Sequence, residues 1–170
     1  MSRGNLKSVR LVAFDVDGVF TDGRFYLSND GVESKAFNTQ DGYGIRQLLN
    51  AGFAVAVISG RKSEAVAKRM SELGVQHLVQ GCSDKVAALD EILATLELSA
   101  DECAYVGDDI PDLPLLIHVG YAIAVANAVP ELQAQCDYCT SASGGFGAVR
   151  EVCELVLGAG SPHSRSPHNQ

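Results

Sequence analysis

Asp15 and Asp17 stand two residues apart in the stretch Phe14 to Gly23 (FDVDGVFTDG), directly behind the apolar run Val9 to Phe14. Carboxylates this close repel one another unless a cation sits between them. A second acidic group, Asp108, Asp109 and Asp112, comes much later in GDDIPD. Between the two lie ISGR, carrying Ser59, Gly60 and Arg61, and a lysine, Lys85, in CSDK. This set suits a hard cation and a phosphate. Mg²⁺ takes one or two carboxylates, waters and phosphate oxygens. A lysine, a hydroxyl and helix-entry amides can hold the remaining phosphate charge. One aspartate can then attack phosphorus to give an aspartyl-phosphate. A second, two residues on, can protonate the leaving oxygen and later activate water, while cation and lysine spread the charge of the transferring group.

These residues meet only if a sheet brings them to one edge. Apolar runs alternate with helical periods along the whole chain. Val9–Phe14, Phe53–Ser59, His77–Gln80, Cys103–Gly107 and Gly120–Val125 read as strands, with Asp137–Thr140 as a short edge strand. Val66, Met70 and Leu73 share one helical face, closed by Gly74; Val86, Leu89, Leu93 and Leu96 share another, behind Ser83 or Asp84 as N-cap. Short helices are expected in PDLPLLI and VPELQAQ, and a last one in GAVREVCELVL. Strand–helix alternation predicts an α/β fold with a mainly parallel sheet flanked by helices. Ligands of such sheets bind beyond the carboxyl ends of the strands, where Asp15, Asp17, Ser59, Lys85 and Asp108 would converge. One segment breaks the rhythm. Arg24 to Phe37 is two short β-like runs around SNDG, a β-hairpin signal. Thr21 and Asp22 are read as shaping the turn into it.

The chain has 170 residues, 46% hydrophobic and 20% charged, which bounds it to one domain, taken as 1–158, with a polar tail, 159–170, expected to be disordered. A net charge of −8 disfavours nucleic acid and anionic membranes, and no apolar run is long enough to span a bilayer. The N-terminus lacks a secretory pattern and the five cysteines are odd in number, so reduced thiols in a cytoplasm are expected. The pair Cys136 and Cys139 has no second pair to complete a zinc site.

The motifs DVDG, SGR, Lys85 and GDDIPD, in this order and spacing, resemble those of the haloacid dehalogenase superfamily. The longer stretches DVDGVFTDG, AFNTQDGYGIRQLL, ISGRKS, QGCSDK, AYVGDDIPDLPLL and GGFGAVREVCELVL resemble the 3-deoxy-D-manno-octulosonate 8-phosphate phosphatase family, over about Val9 to Leu157. The resemblance implies a Rossmann-like core without a cap domain, and Mg²⁺ as cofactor. It implies Asp15 as nucleophile and metal ligand, and Asp17 as general acid/base that binds the metal through its backbone carbonyl. Asp108 would be the third protein ligand, with Ser59 and Lys85 as phosphate binders. Asp109 or Asp112 would hold Lys85 or metal waters. Asn38, Thr39, Gln40, Asp41, Gly42, Arg46, Gly60, Arg61 and Arg69 match positions that contact the sugar acid or its phosphate. The family's members are cytoplasmic homotetramers whose hairpins pack together and whose neighbouring subunits help close each site. Their reaction releases phosphate and a lipopolysaccharide precursor. Gln40 and Phe146 stand where basic residues are common, which leaves a sialic-type nonulosonate 9-phosphate as an alternative substrate.

A receiver-like phospho-acceptor signalling domain shares the fold type, the acids and Mg²⁺. Its phosphoacceptor belongs at the third strand, where this chain reads VQGC without an aspartate. Simpler readings also exist for Arg46 and Arg69 as surface arginines, and for Asp41 as a helix cap. No partner is assigned to His77 or His118.

Overall fold

The structure, a computed structural model, describes residues 4–160; the expected tail lies outside the described residues from position 161 onward. In chain order the elements are β1 (Leu11–Phe14), β2 (Tyr26–Leu27), β3 (Glu33–Ser34), α1 (Thr39–Asn50), β4 (Ala54–Ile58), α2 (Glu64–Leu73) and β5 (His77–Val79). There follow α3 (Lys85–Leu96), β6 (Cys103–Gly107), α4 (Leu113–His118), β7 (Tyr121–Ala124), α5 (Pro130–Gln133), β8 (Tyr138–Cys139) and α6 (Ala148–Gly158).

Six strands form a parallel sheet in the order β5-β4-β1-β6-β7-β8, while β2 and β3 pair antiparallel as a separate hairpin. Every expected strand is present, most of them shorter at the ends. Arg10 already donates to Glu102 O and accepts from Ala54 N, so the hydrogen-bonded ladder begins before β1 itself. The strands are apolar on both sides because helices cover both faces, and β1, β4 and β6 are almost wholly buried. Tyr105, Phe14, Phe20, Ile45, Leu48 and Met70 are among the largest side chains of the core.

The helices begin and end on local chemistry. The Asn38 side chain caps α1 by accepting from Gln40 N, Ser63 caps α2, and Asp84, rather than Ser83, caps α3 through Ala87 N. Gly74 ends α2 at φ +83°, in the left-handed region that glycine adopts without strain. The expected PDLPLLI helix opens as a 3₁₀ turn, Ile110–Asp112, before α4, with Pro111 and Pro114 each near an N-terminus, where a missing N–H costs little. Helix α6 buries Val149, Val152, Cys153 and Val156 and packs against α1. The two helices approach so closely that a Cβ on Gly44 would meet Cys153 at 3.1 Å.

Strand order decides where the site can be. β1 is central, β4 lies on one side and β6 on the other. The chain leaves β1 for the β4–β5 side and later crosses to the β6 side. The loops after these strands therefore part around a crevice, the switch point at which such sheets bind ligands.

Candidate active site

Asp15 is the first residue beyond β1, and its N–H still bonds Val106 O at 3.0 Å, which fixes its direction over the strand ends. The chain then turns tightly. Val16 O accepts the amides of Val19, Phe20 and Thr21, Gly18 lies at φ +84°, and the buried Thr21 hydroxyl accepts from Gly18 N and Gly23 N. Asp22 accepts the Arg24 guanidinium at 2.9 and 2.7 Å. Thr21 and Asp22 thus shape the turn into the hairpin.

Ser59 follows β4 and is buried; its Oγ accepts from Arg61 N at 3.3 Å. Lys85 opens α3, and its Nζ sits 3.1 Å from Asp15 Oδ1 and 2.7 Å from Asp112 Oδ1. Asp112 is buried and fully engaged. Tyr105 Oη donates to Oδ1 at 2.7 Å, and Asp108 N and Asp109 N donate to Oδ2 at 3.0 and 3.4 Å. Removing one partner of such a buried pair typically costs about 3–5 kcal/mol, so Asp112 is an anchor for Lys85 and for the β6 loop. Asp109 accepts from Ile110 N as the cap of the 3₁₀ turn and stays exposed. Burial, followed by the Asp112 charge, pushes the Tyr105 phenol well above its ordinary range, so its proton stays to donate. Burial alone would lower the Lys85 pKa, but Asp15 and Asp112 outweigh it, and the ammonium is held charged.

Asp15, Asp108 and Asp112 each bring a carboxylate oxygen within 4.8 Å of the others. Burial, then the Asp112 charge, raises Asp15 to about 6 against the opposing pull of Lys85. Burial, then the charges of Asp15 and Asp112, raises Asp108 to about 8. Carboxylates crowded to this degree gain from a divalent cation. With both oxygens of Asp112 occupied, Asp15 and Asp108 are the side chains suited to hold one. The Asp17 carboxylate lies outside this cluster, and the family resemblance asks only for its backbone carbonyl there.

Asp15, Asp17, Ser59, Gly60, Arg61, Lys85, Asp108, Asp109 and Asp112 line one cavity of about 340 Å³, together with Gly23 and Pro111. The remaining residues expected to touch a sugar acid do not line it within the same chain. Asn38 donates to Gly145 O at 3.2 Å and borders a neighbouring cleft with Phe146; Thr39 and Gln40 are exposed. Asp41 corrects two expectations at once. It is neither the cap of α1 nor open to a ligand, but buried, with Oδ1 accepting from Arg150 N at 3.0 Å to join α1 to α6. Gly42 is buried, a Cβ there would meet the Arg69 guanidinium, and Arg69 itself pairs with Glu72. Arg46 reaches Leu73 O and lines a different cavity beside Phe53 and Ala54, at the opposite end of β4 from Ser59.

Four groups escaped the sequence reading. Lys35, after β3, places Nζ 2.6 Å from Asp17 Oδ1. Glu33 pairs with Lys35 and with Arg61, which also lies over the Phe25 ring at 4.3 Å. Asn127 donates to Gly18 O and accepts from Gly144 N, tying the β1 loop to the glycine-rich segment before α6. Tyr105 supports Asp112. A charged alternation in ESKAF hinted at Lys35; nothing local marks Asn127. His118 pairs with Asp90 at 2.7 Å, a surface contact.

Residues 76–150 match the family model of haloacid dehalogenase-like hydrolases. The 3-deoxy-D-manno-octulosonate 8-phosphate phosphatase of Yersinia pestis is 49% identical over 150 residues, covering 88% of this chain and 80% of that protein. The protein of that name from Escherichia coli K12 is 48% identical over 151 residues, covering 89% and 80%. A solved structure of the Moraxella catarrhalis enzyme, in complex with a magnesium ion, a phosphate ion and a KDO molecule, superposes with a TM-score of 0.88. It is 44% identical and covers 91% of this chain and 88% of that one. Identity of this degree across nearly the whole chain, on the same sheet, settles descent, and the chain belongs to the 3-deoxy-D-manno-octulosonate 8-phosphate phosphatase family of the haloacid dehalogenase-like hydrolases.

Proposed function

We propose that this chain is a Mg²⁺-dependent phosphatase that hydrolyses 3-deoxy-D-manno-octulosonate 8-phosphate to the free sugar acid and phosphate, as a step in making a lipopolysaccharide precursor. The observation that carries the reading is Lys85, bridging Asp15 and Asp112 in the cavity that also holds Ser59, Asp17 and Asp108. Similarity to relatives of that activity supports it.

The substrate phosphate is held by the Lys85 ammonium and the Ser59 hydroxyl, with Arg61 at the rim. Asp15 attacks phosphorus; the bond from phosphorus to the sugar oxygen breaks, and that oxygen takes a proton from Asp17. Asp17, now a base, removes a proton from water, which attacks the aspartyl-phosphate; phosphate departs and Asp15 is regenerated. Asp15, Asp108 and the Asp17 carbonyl would hold Mg²⁺, which supplies positive charge against the charge on the transferring group. Asp112 acts at one remove, by holding Lys85.

The same reading takes residues 1–158 as one domain and the assembly as a cytoplasmic homotetramer. The five free thiols agree with a reducing compartment, and among the described residues no helix is long and apolar enough to cross a membrane.

The test is phosphate release across a panel of phosphate esters with Mg²⁺: the octulosonate 8-phosphate, a nonulosonate 9-phosphate and hexose phosphates. The octulosonate ester is expected to have the highest kcat/KM. Best turnover on the nine-carbon ester would move the substrate, and best turnover on a hexose phosphate would overturn the sugar-acid reading. Asp15→Asn is expected to bind phosphate ester yet lose turnover by at least ~10³-fold, as for removal of a covalent nucleophile; wild-type turnover would remove Asp15 from that role.

A further inference from the structure

Asp15 and Asp17 each have a lysine of their own. Asp15 faces Lys85, which comes from the body of the fold. Asp17 faces Lys35, which comes from the hairpin, eighteen residues along the chain. Lys35 is no ordinary surface lysine. Its side chain is 1% exposed, its Nζ lies 2.6 Å from Asp17 Oδ1, and Glu33 Oε1 flanks it at 3.4 Å. Glu33 Oε2 in turn pairs with Arg61 Nη2 at 3.2 Å, and the Arg61 guanidinium lies over Phe25. Charges therefore alternate along one line, Asp17, Lys35, Glu33, Arg61, joining the β1 loop to the β4 loop through the hairpin. Period two along the returning strand places Glu33 and Lys35 on one face, with Ser34 turned out to solvent.

This arrangement answers an electrostatic difficulty. Asp17 shares its cavity with Asp15, Asp108 and Asp112, and left alone it would be driven toward water. Burying a lysine side chain costs rotamer freedom on top of desolvation. The hairpin bears that cost at the one place where it fixes Asp17 apart from Asp15.

We propose that Lys35 is a positioning residue, which holds the Asp17 carboxyl on the hairpin side of the cavity, where it can reach the leaving oxygen of the substrate. The proposal rests on the reading of Asp17 as general acid given above.

The test uses the full chain with Mg²⁺ and a series of substituted phenyl phosphates, from p-nitrophenyl to p-methoxyphenyl, beside the octulosonate 8-phosphate. kcat/KM reports the steps up to departure of the leaving group, and a better leaving group needs the acid less. Asp17→Asn is expected to make kcat/KM fall steeply as the phenol becomes a poorer leaving group. Lys35→Met is expected to steepen the same dependence, with a loss of ~10- to 100-fold on the sugar ester, within the range of general acid catalysis. Lys35→Arg, which keeps the charge, should restore most of it. A variant damaged only in folding would lose rate equally on every ester. An equal loss in Lys35→Met, or no loss, overturns the proposal. So does a loss confined to the sugar ester with an unchanged dependence among the phenyl esters, which would make Lys35 a substrate contact. If Asp17→Asn steepens the dependence and Lys35→Met does not, only the role of Lys35 falls. If neither does, the acid role of Asp17 falls with it.

Discussion

At the residue scale, the tightest constraint beside the catalytic acids is Gly18. Its φ of +84° belongs to the left-handed region, and a Cβ there would collide with Asp108 Oδ2. Gly18→Ala therefore strains the β1 loop and displaces one of the two carboxylates suited to the cation. The expected result is a stability loss of about 1–2 kcal/mol from backbone strain, together with loss of the melting-temperature rise that Mg²⁺ is expected to give the wild type. Thermal melts with and without Mg²⁺ check it, and an intact Mg²⁺-dependent rise in the variant would refute the account. Asp15, Asp17, Ser59, Lys85 and Asp108 were legible because each stands at a strand end or helix entry, where order along the chain predicts convergence in space. Lys35 and Asn127 were not, because their contacts span 18 and 109 residues; the charges of ESKAF only hint at Lys35, and nothing local announces Asn127. Asp41 misled for the opposite reason. Its place near a helix start suits a cap or a ligand, and only the packing of α6 shows that it is buried.

At the element scale, strands and long helices were readable from apolar runs and 3.6-residue periods, and two of their ends from Asp84 and Gly74, while the Asn38 and Ser63 caps escaped that reading. What the periods did not reveal is how one element is latched to another. Glu151 on α6 is such a latch. Its carboxylate accepts from Ser141 N at 2.8 Å, Ala142 N at 2.9 Å and Tyr138 Oη at 2.8 Å, fixing β8 and the following loop to the helix. Burial pushes the Glu151 pKa up, but the two amides and the Tyr138 hydroxyl outweigh it, so the folded value lies below the ordinary 4.5. An acid with a depressed pKa stabilises the fold above its unfolded value, and that contribution fades as pH falls through the folded one. Glu151→Gln should thus lower the melting temperature most near pH 7, and by progressively less as the pH drops below about 4.5. A gap between variant and wild type that is independent of pH across this window would assign Glu151 a packing role only. The same segment leads to Gly144, whose N–H reaches Asn127 and hence the β1 loop, so loosening it should also raise KM.

At the scale of the whole molecule, the hairpin is the part that one chain leaves half covered. Its turn is well made. Gly31 sits at φ +78°, and Ser28 exchanges backbone bonds with Val32 and Gly31. Yet β2 and β3 are only two residues each, and an isolated two-stranded hairpin is marginal in water. One side is held by the charges around Lys35 and Arg61. The opposite face, where Ser34 also points, leaves Tyr26 65% exposed with Val32 beside it, and Leu27, across from Glu33, is 65% exposed as well. Apolar groups gathered on one small element, rather than scattered, favour burial against a like surface. The expected species is a tetramer, about four times the 17.9 kDa of one chain. Sedimentation at micromolar concentration checks it, and a monomer would refute it. Tyr26→Asp places a charge on this face, opposite Ser34, while leaving Lys35 and Glu33 in place. It should shift the protein to smaller species without unfolding the sheet, since Tyr26 makes no part of the main core. Because the hairpin also carries the lysine that holds Asp17, the dissociated variant should lose activity on the sugar ester although every acid of the site is intact. Full activity in a monomer would separate assembly from catalysis.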